Sequence, residues 1–338
     1  MSALAPSIDS ILPLLREGKS FILTTHGNPD GDGLGSELAL AAWLSGHGKQ
    51  ASIINHSVTP AVYRFLDPER LIRLYDARRD AESVRKADVI MVLDTNQLER
   101  LFSMASAVRE NRGITVCIDH HLEAAPFAKH YVIDEDATST AEIIYRILTR
   151  LDNRSLSPFI ARALYCAIMT DTGSFRYPRV DPEIHRMIAH LIECGADPVA
   201  IYSEVYERWS AGRIHLLGEM LSALERAGNG KIAHVSITRE MLKRTGTEEE
   251  DTDNFTTYPM SVEGVLIGIL FLELSRGLKI SFRSKGDIPV NELAKEFGGN
   301  GHRNAAGAQI HDGTLAETRQ KVLSAALKYI DAATEGTA

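Results

Sequence analysis

Short apolar runs alternate with longer amphipathic segments through the first half of the chain, and this alternation limits the fold more than any other feature. FILTTH (21–26), ASIINH (51–56), ADVIMVLDT (87–95), GITVCIDHH (113–121) and HYVIDED (130–136) have the length and β-branched content of strands. Residues 8–17, 34–48, 138–151 and 157–173 read as helices, the first weakened by Pro13 and the second ended by Gly46 and Gly48. Apolar strands separated by helices predict an α/β fold with a mostly parallel sheet covered on both faces. Such sheets place their sites beyond the carboxyl ends of the strands, at a topological switch point. Three of the runs end on His26, Asp94 and Asp119, so the topology predicts that these ends converge.

From about 182 to 227 the pattern is helical. After Asn229 the texture changes: KIAHVSIT, VEGVLIGILFLEL and GLKISFRS read as strands, and VNELAKEF and AETRQKVLSAALKYI as helices. The expected layout is a parallel-sheet domain at 1–182, a helical connector at 183–228 and a smaller α/β domain at 229–333. A chain of 338 residues suits two cores, since single cores rarely grow past roughly 250–300 residues.

The composition, 44% hydrophobic and 24% charged, is globular. A formal net charge of −8 argues against a protein that coats long nucleic acid, but leaves room for a small anionic substrate at a metal centre. Cys117, Cys166 and Cys194 are odd in number and form no C-x-x-C pair, which reads as reduced thiols rather than a disulfide framework or zinc knuckle. The first residues lack a basic segment followed by an apolar core, and no run of 18 apolar residues occurs. A cytoplasmic location away from membranes is the expectation.

Four short segments carry chemistry. His26-Gly27-Asn28-Pro29-Asp30-Gly31-Asp32-Gly33 packs an imidazole and two carboxylates into a turn after a strand. Part of it matches a calcium-binding loop, but Ala39 stands where that loop needs a bidentate Glu. Asp94 ends a wholly apolar run, where a charge is costly unless paired or bound to a metal. Asp119-His120-His121 ends another strand, and strand geometry sends neighbouring side chains to opposite sides. Asp171 ends an apolar helix beside Gly173 and Arg176. Together His26, Asp30, Asp32, Asp94, His120 and Asp171 offer oxygen and nitrogen donors without a thiolate, a set that suits manganese, magnesium, iron or cobalt better than structural zinc. Four carboxylates and two imidazoles can hold two ions if one carboxylate bridges, and paired ions are a known arrangement for hydrolysing phosphate esters.

These segments resemble, in order, the four N-terminal motifs of the DHH phosphoesterase family. Phe297-Gly298-Gly299-Asn300-Gly301-His302 resembles the glycine-rich signature of its associated C-terminal domain. The resemblance spans nearly the whole chain, and the string TDTGSFRY looks most like the bifunctional oligoribonuclease and pAp phosphatase subfamily. One departure is Asn300, where the family usually has another glycine; Asn tolerates a left-handed backbone, so the turn is expected to survive.

The resemblance implies one ion held by His26, Asp30 and Asp94 and a second by Asp32, Asp94, His120 and Asp171, with Asp94 as the bridge. Manganese is the first choice, with magnesium and cobalt as alternatives. It places His121 beside the scissile phosphate, as a phosphoryl hydrogen-bond donor or leaving-group acid, and Asp119 behind the ligands as an orienting group. In the second domain Arg283, Ser281, Ser284, Gly298, Gly299, Gly301 and His302 would bind substrate phosphate or base. The activity it implies is hydrolysis of short oligoribonucleotides and linear dinucleotides and removal of phosphate from pAp, with a homodimer by analogy. The alternatives are a cyclic-dinucleotide phosphodiesterase, a longer-range single-strand exonuclease, and a non-catalytic nucleotide-binding protein.

Overall fold

Val89–Leu93, VIMVL, is buried at every position and forms β4, a central strand of a six-stranded sheet. In the computed structural model, which describes residues 4–152 and 156–335, the chain divides into two units, Met1–Arg208 and Trp209–Ala338.

The first unit runs α1 (Leu4–Glu17), β1 (Ser20–Thr24), α2 (Gly31–Gly46), β2 (Gln50–Asn55), β3 (Ile72–Leu74), α3 (Ala77–Lys86), β4, α4 (Ala105–Arg109), β5 (Ile114–Asp119), β6 (His130–Ile133), α5 (Thr140–Leu151), α6 (Pro158–Asp171), α7 (Pro182–Glu193) and α8 (Pro198–Tyr206). Its strands pair in parallel in the order β3-β2-β1-β4-β5-β6. The order reverses between β1 and β4. Consecutive connections leave β1 in one direction and β4 in the other, which opens a crevice above their carboxyl ends. One core cluster, with Phe21, Met91 and Val116, packs under α1, α2, α5 and α6; another, with Ile90, Leu98 and Leu101, fills the opposite face.

The expected mostly parallel α/β sheet is borne out, with local differences. Helix α1 continues through Pro13, because Ile8, Ile11, Leu12 and Leu15 bury one face and packing outweighs the lost hydrogen bond. Strand β1 stops at Thr24 rather than His26, since the next N–H, of Thr25, goes to Asn55 Oδ1 (3.2 Å) instead of a ladder partner. Helix α2 begins at Gly31 rather than Leu34. Asp30 is its N-cap, accepting the N–H groups of Asp32 (3.0 Å) and Gly33 (3.2 Å), so part of the expected turn is helical.

The second unit runs α9 (Ala211–Ser222), β7 (Glu225–Ala227), β8 (Ile232–Ile237), α10 (Arg239–Thr245), β9 (Ile267–Glu273), β10 (Leu278–Ser284), α11 (Val290–Lys295), β11 (Asn300–His302), β12 (Ala305–Ile310) and α12 (Leu315–Glu335). Its sheet, in the order β11-β12-β10-β9-β8-β7, is antiparallel except for the β8–β9 pair. Ile280, Phe282, Ala306 and Ala308 point into a core with Val290, Leu293, Val322 and Ala326. Among the described residues no helix is long and apolar enough to cross a membrane.

Candidate metal centre

The strand-end residues converge at the switch point. Asp94 follows β4, His26 follows β1, Asp119 ends β5, and His120 and His121 come directly after it. Three groups of side chains bring a ligand atom apiece within 4.8 Å of one another: His26, Asp30 and Asp94; Asp32, His120 and Asp171; and Asp94, Asp119, His120 and His121.

Asp94 belongs to the first group and also faces His120 of the second. Its Oδ2 is 3.3 Å from His26 Nε2, and its Oδ1 is 3.8 Å from His120 Nε2. Its backbone is left-handed, φ 59, a conformation that Asp and Asn adopt more readily than most residues. Asp94 N–H donates to Ile118 O (3.0 Å) and Thr140 Oγ1 donates to its Oδ1 (3.3 Å), which fixes the carboxylate. His120 Nε2 is 3.4 Å from Asp171 Oδ2 and 3.9 Å from Asp32 Oδ2. His26 Nδ1 meets Gly27 O (2.9 Å) and His120 Nδ1 meets Ala137 O (3.3 Å), so each imidazole turns Nε2 inward.

Asp32 is held from outside the site. Its Oδ2 accepts the N–H of Thr140 (2.7 Å) and its Oδ1 that of Ala141 (2.9 Å). Both donors are open N–H groups at the start of α5, whose N-cap is Ser139. Asp119 is fully buried and uses one oxygen twice. Its Oδ1 accepts His120 N–H (2.8 Å) and meets His121 Nδ1 (2.7 Å).

Burial pushes the Asp32, Asp94 and Asp171 carboxyls well above the usual range, and their mutual repulsion, with Asp30, adds to it. The N–H groups of Thr140 and Ala141 offset part of this for Asp32. Such crowding of buried carboxylates calls for a cation. The donors are carboxylate and imidazole only. The Cys117 thiol, two residues before Asp119, donates instead to Thr95 O (3.4 Å), and burial keeps it protonated. The residues therefore fit one or more hard or borderline divalent ions.

Glu37 on α2, fully buried, receives Asn55 Nδ2 (2.8 Å). Burial raises its carboxyl from 4.5 to about 8. A raised folded-state value means that its contribution to stability is complete below the ordinary carboxylate range and is lost as pH rises toward 8. Glu37→Gln should flatten that part of the decline. Melting of chelator-treated protein at stepped pH should show the variant gaining about 3 °C or more over wild type between pH 6 and pH 8. Parallel curves would assign the decline to the other carboxylates.

In the second unit the register sets Ser281 opposite Gly307, itself opposite Asn300, and Arg283 opposite Ala305, itself opposite His302. Paired residues share a face, so Ser281, Arg283, Asn300 and His302 stand on the face away from the core, around a floor of Gly307 and Ala305. Ser284 is committed elsewhere. Its hydroxyl donates to Ile288 O (2.7 Å) and accepts from Asn304 Nδ2 (2.9 Å), which ties the turn after β10. Asn300 does not need the left-handed backbone it could tolerate: positive φ falls on Gly298 (74) and Gly301 (145), and Asn300 is the first residue of β11. A Cβ on Gly299 would collide with Gly307 O and Ala308, so the glycine there is required by close strand packing.

Two family models match the chain: the DHH family, N-terminal domain, over residues 20–168, and the DHHA1 domain over residues 229–334. A solved structure, an exopolyphosphatase-related protein from Bacteroides fragilis, superposes with a TM-score of 0.91 at 32% identity and covers 96% of both chains. The chain belongs to the DHH family. Among its relatives, the bifunctional oligoribonuclease and PAP phosphatase NrnA of Thermus thermophilus is 28% identical over 91% of this chain and 89% of its own. The cyclic-di-AMP phosphodiesterase PdeA of Listeria monocytogenes is 24% identical over 94% of this chain and 48% of its own.

Within the DHH unit, the sequence marks the candidate ligands but not the residues that support them. Thr140, Ala141, Asn55 and Glu37 are remote in sequence from the groups that they hold, and nothing in their local pattern marks them.

Proposed function

We propose that this DHH-family chain hydrolyses phosphate esters of short nucleotides, releasing mononucleotides from short oligoribonucleotides and linear dinucleotides and removing phosphate from pAp. The observation that carries the reading is Asp94, whose two oxygens face two separate ligand groups. The likeness to the NrnA protein over most of both chains supports the substrate class. The likeness to a cyclic-di-AMP phosphodiesterase favours the second reading, hydrolysis of a cyclic dinucleotide.

In this proposal His26, Asp30 and Asp94 hold one divalent ion, and Asp32, Asp94, His120 and Asp171 the other. Manganese is the first choice, with magnesium and cobalt as alternatives. Bound ions would supply an activated water and offset charge on the phosphoryl oxygens. Asp119 grips His121 Nδ1 and aims the ring, so His121 Nε2 would hydrogen-bond a phosphoryl oxygen or protonate the leaving oxygen. Arg283, with Ser281, His302 and the N–H groups near Gly298, Gly299 and Gly301, would anchor a substrate phosphate. Arg283→Ala is then expected to raise KM about tenfold or more with kcat little changed, read from initial rates on pAp. A homodimer is part of the proposal by family analogy.

A timed product assay tests the reading. With manganese present, the substrates are pAp, pApA, a five-nucleotide RNA, a 24-nucleotide RNA and cyclic di-AMP, each with and without chelator. Chelator-sensitive turnover of the short linear substrates is the expected result. Preference for cyclic di-AMP would favour the second reading, and turnover of none by metal-loaded protein would overturn both.

A further inference from the structure

Phe102 lies at a kink in the 3-10 segment Leu98–Met104, between β4 and α4, and 57% of it is exposed. Its backbone has φ 46 and ψ −113, a left-handed conformation that is an outlier for a bulky side chain. Strain of this kind persists where the surroundings impose it, and it gathers at functional sites. The ring is held on two sides. It stacks on the His56 imidazole with centroids 4.9 Å apart and planes at 30°. It also lies against Gly27, where a Cβ would overlap its Cε2 and Cδ2. Gly27 directly follows the candidate ligand His26, and its N–H donates to Arg100 O (2.8 Å). The rim is knit further by His56 Nδ1 to Ser103 Oγ (2.7 Å) and by Asn28 N–H to Ser57 Oγ (3.0 Å). An apolar ring is thus fixed in place beside the metal centre with much of its surface toward solvent.

We infer that Phe102, backed by His56, is a stacking shelf for a nucleobase of the substrate. This rests on the nucleotide-hydrolase reading above. A π-face accepts any base, which suits a site that takes short nucleotides without regard to sequence. The shelf adjoins His26, so the base concerned belongs to a nucleoside next to the phosphate being cut. Phe102 is on this reading a substrate-positioning residue, with no part in proton transfer.

The test compares wild type, Phe102→Ala and Phe102→Trp, all metal-loaded, on pApA and on the same dinucleotide with one base or the other removed. Phe102→Ala should raise KM for pApA about tenfold or more and leave kcat within about twofold. It should be neutral on one of the two abasic substrates, and Phe102→Trp should restore KM. Binding of a 2-aminopurine dinucleotide, followed by its emission, needs no turnover: it should be quenched by wild type and Phe102→Trp but not by Phe102→Ala. Equal KM rises on all three substrates, or quenching that survives Phe102→Ala, would overturn the shelf. Absence of turnover with Phe102-dependent quenching would keep the shelf and reject the hydrolase reading. Phe102→Gly relieves the backbone and should melt no lower than wild type while keeping the raised KM; a lower melting temperature with unchanged KM would mark the ring as structural and overturn the proposal.

Discussion

Asp94→Asn should lower turnover by about a thousandfold or more while leaving the fold intact. The amide keeps the shape of the carboxylate, can retain the left-handed backbone at φ 59, and can still accept from Thr140 through its oxygen. What it loses is the negative charge facing both His26 and His120. Metal content should fall below that of wild type, measured by elemental analysis after dialysis. The melting temperature of the metal-free protein should rise, because the variant removes one of several mutually repelling buried carboxylates. Added divalent ion should then stabilise wild type by several degrees and the variant by less. Near-normal turnover, or an equal response of both proteins to metal, would refute the shared-ligand scheme.

The second large effect is expected at His121. Replacement by Ala should cut kcat about a hundredfold, the usual scale for a lost proton-transfer group, with metal content unchanged. Asp119→Asn should act on the same step more mildly, by about tenfold, since it loosens the grip on His121 Nδ1 without removing the imidazole. If both variants bound fewer ions instead, His121 would be a ligand.

The candidate metal ligands were legible because their types are rare where they occur. A carboxylate or imidazole at the end of a buried strand is costly, so Asp94, Asp119 and His120 stood out from VIMVL and ITVCI. The parallel sheet was legible for the same reason, in unbroken apolar runs. Strand β3, with the sequence IRL at the sheet edge, carried no such signal. Nor did β12, whose AAGAQI lacks β-branched residues until its end and forms by pairing with β10. The backbone of Asn300 could not be read from residue type alone, because the glycines on either side absorb the turn. Phe102 looked like one more apolar residue, and only the coordinates reveal its exposure and its backbone. The clamp on Asp32 joins residues 108 and 109 apart in sequence, beyond the reach of any local pattern.

That clamp has a consequence for descent. Asp32 accepts two N–H groups that open α5, a duty apart from chemistry, so a lineage that abandoned hydrolysis would still be under pressure to keep it. Asp171, the last residue of α6, shows no such second duty among the described residues and would be free to drift. With the ligand set proposed above, a retained Asp32 in a degenerate copy of this fold would therefore say little about chemistry, whereas the loss of Asp171 would date its end.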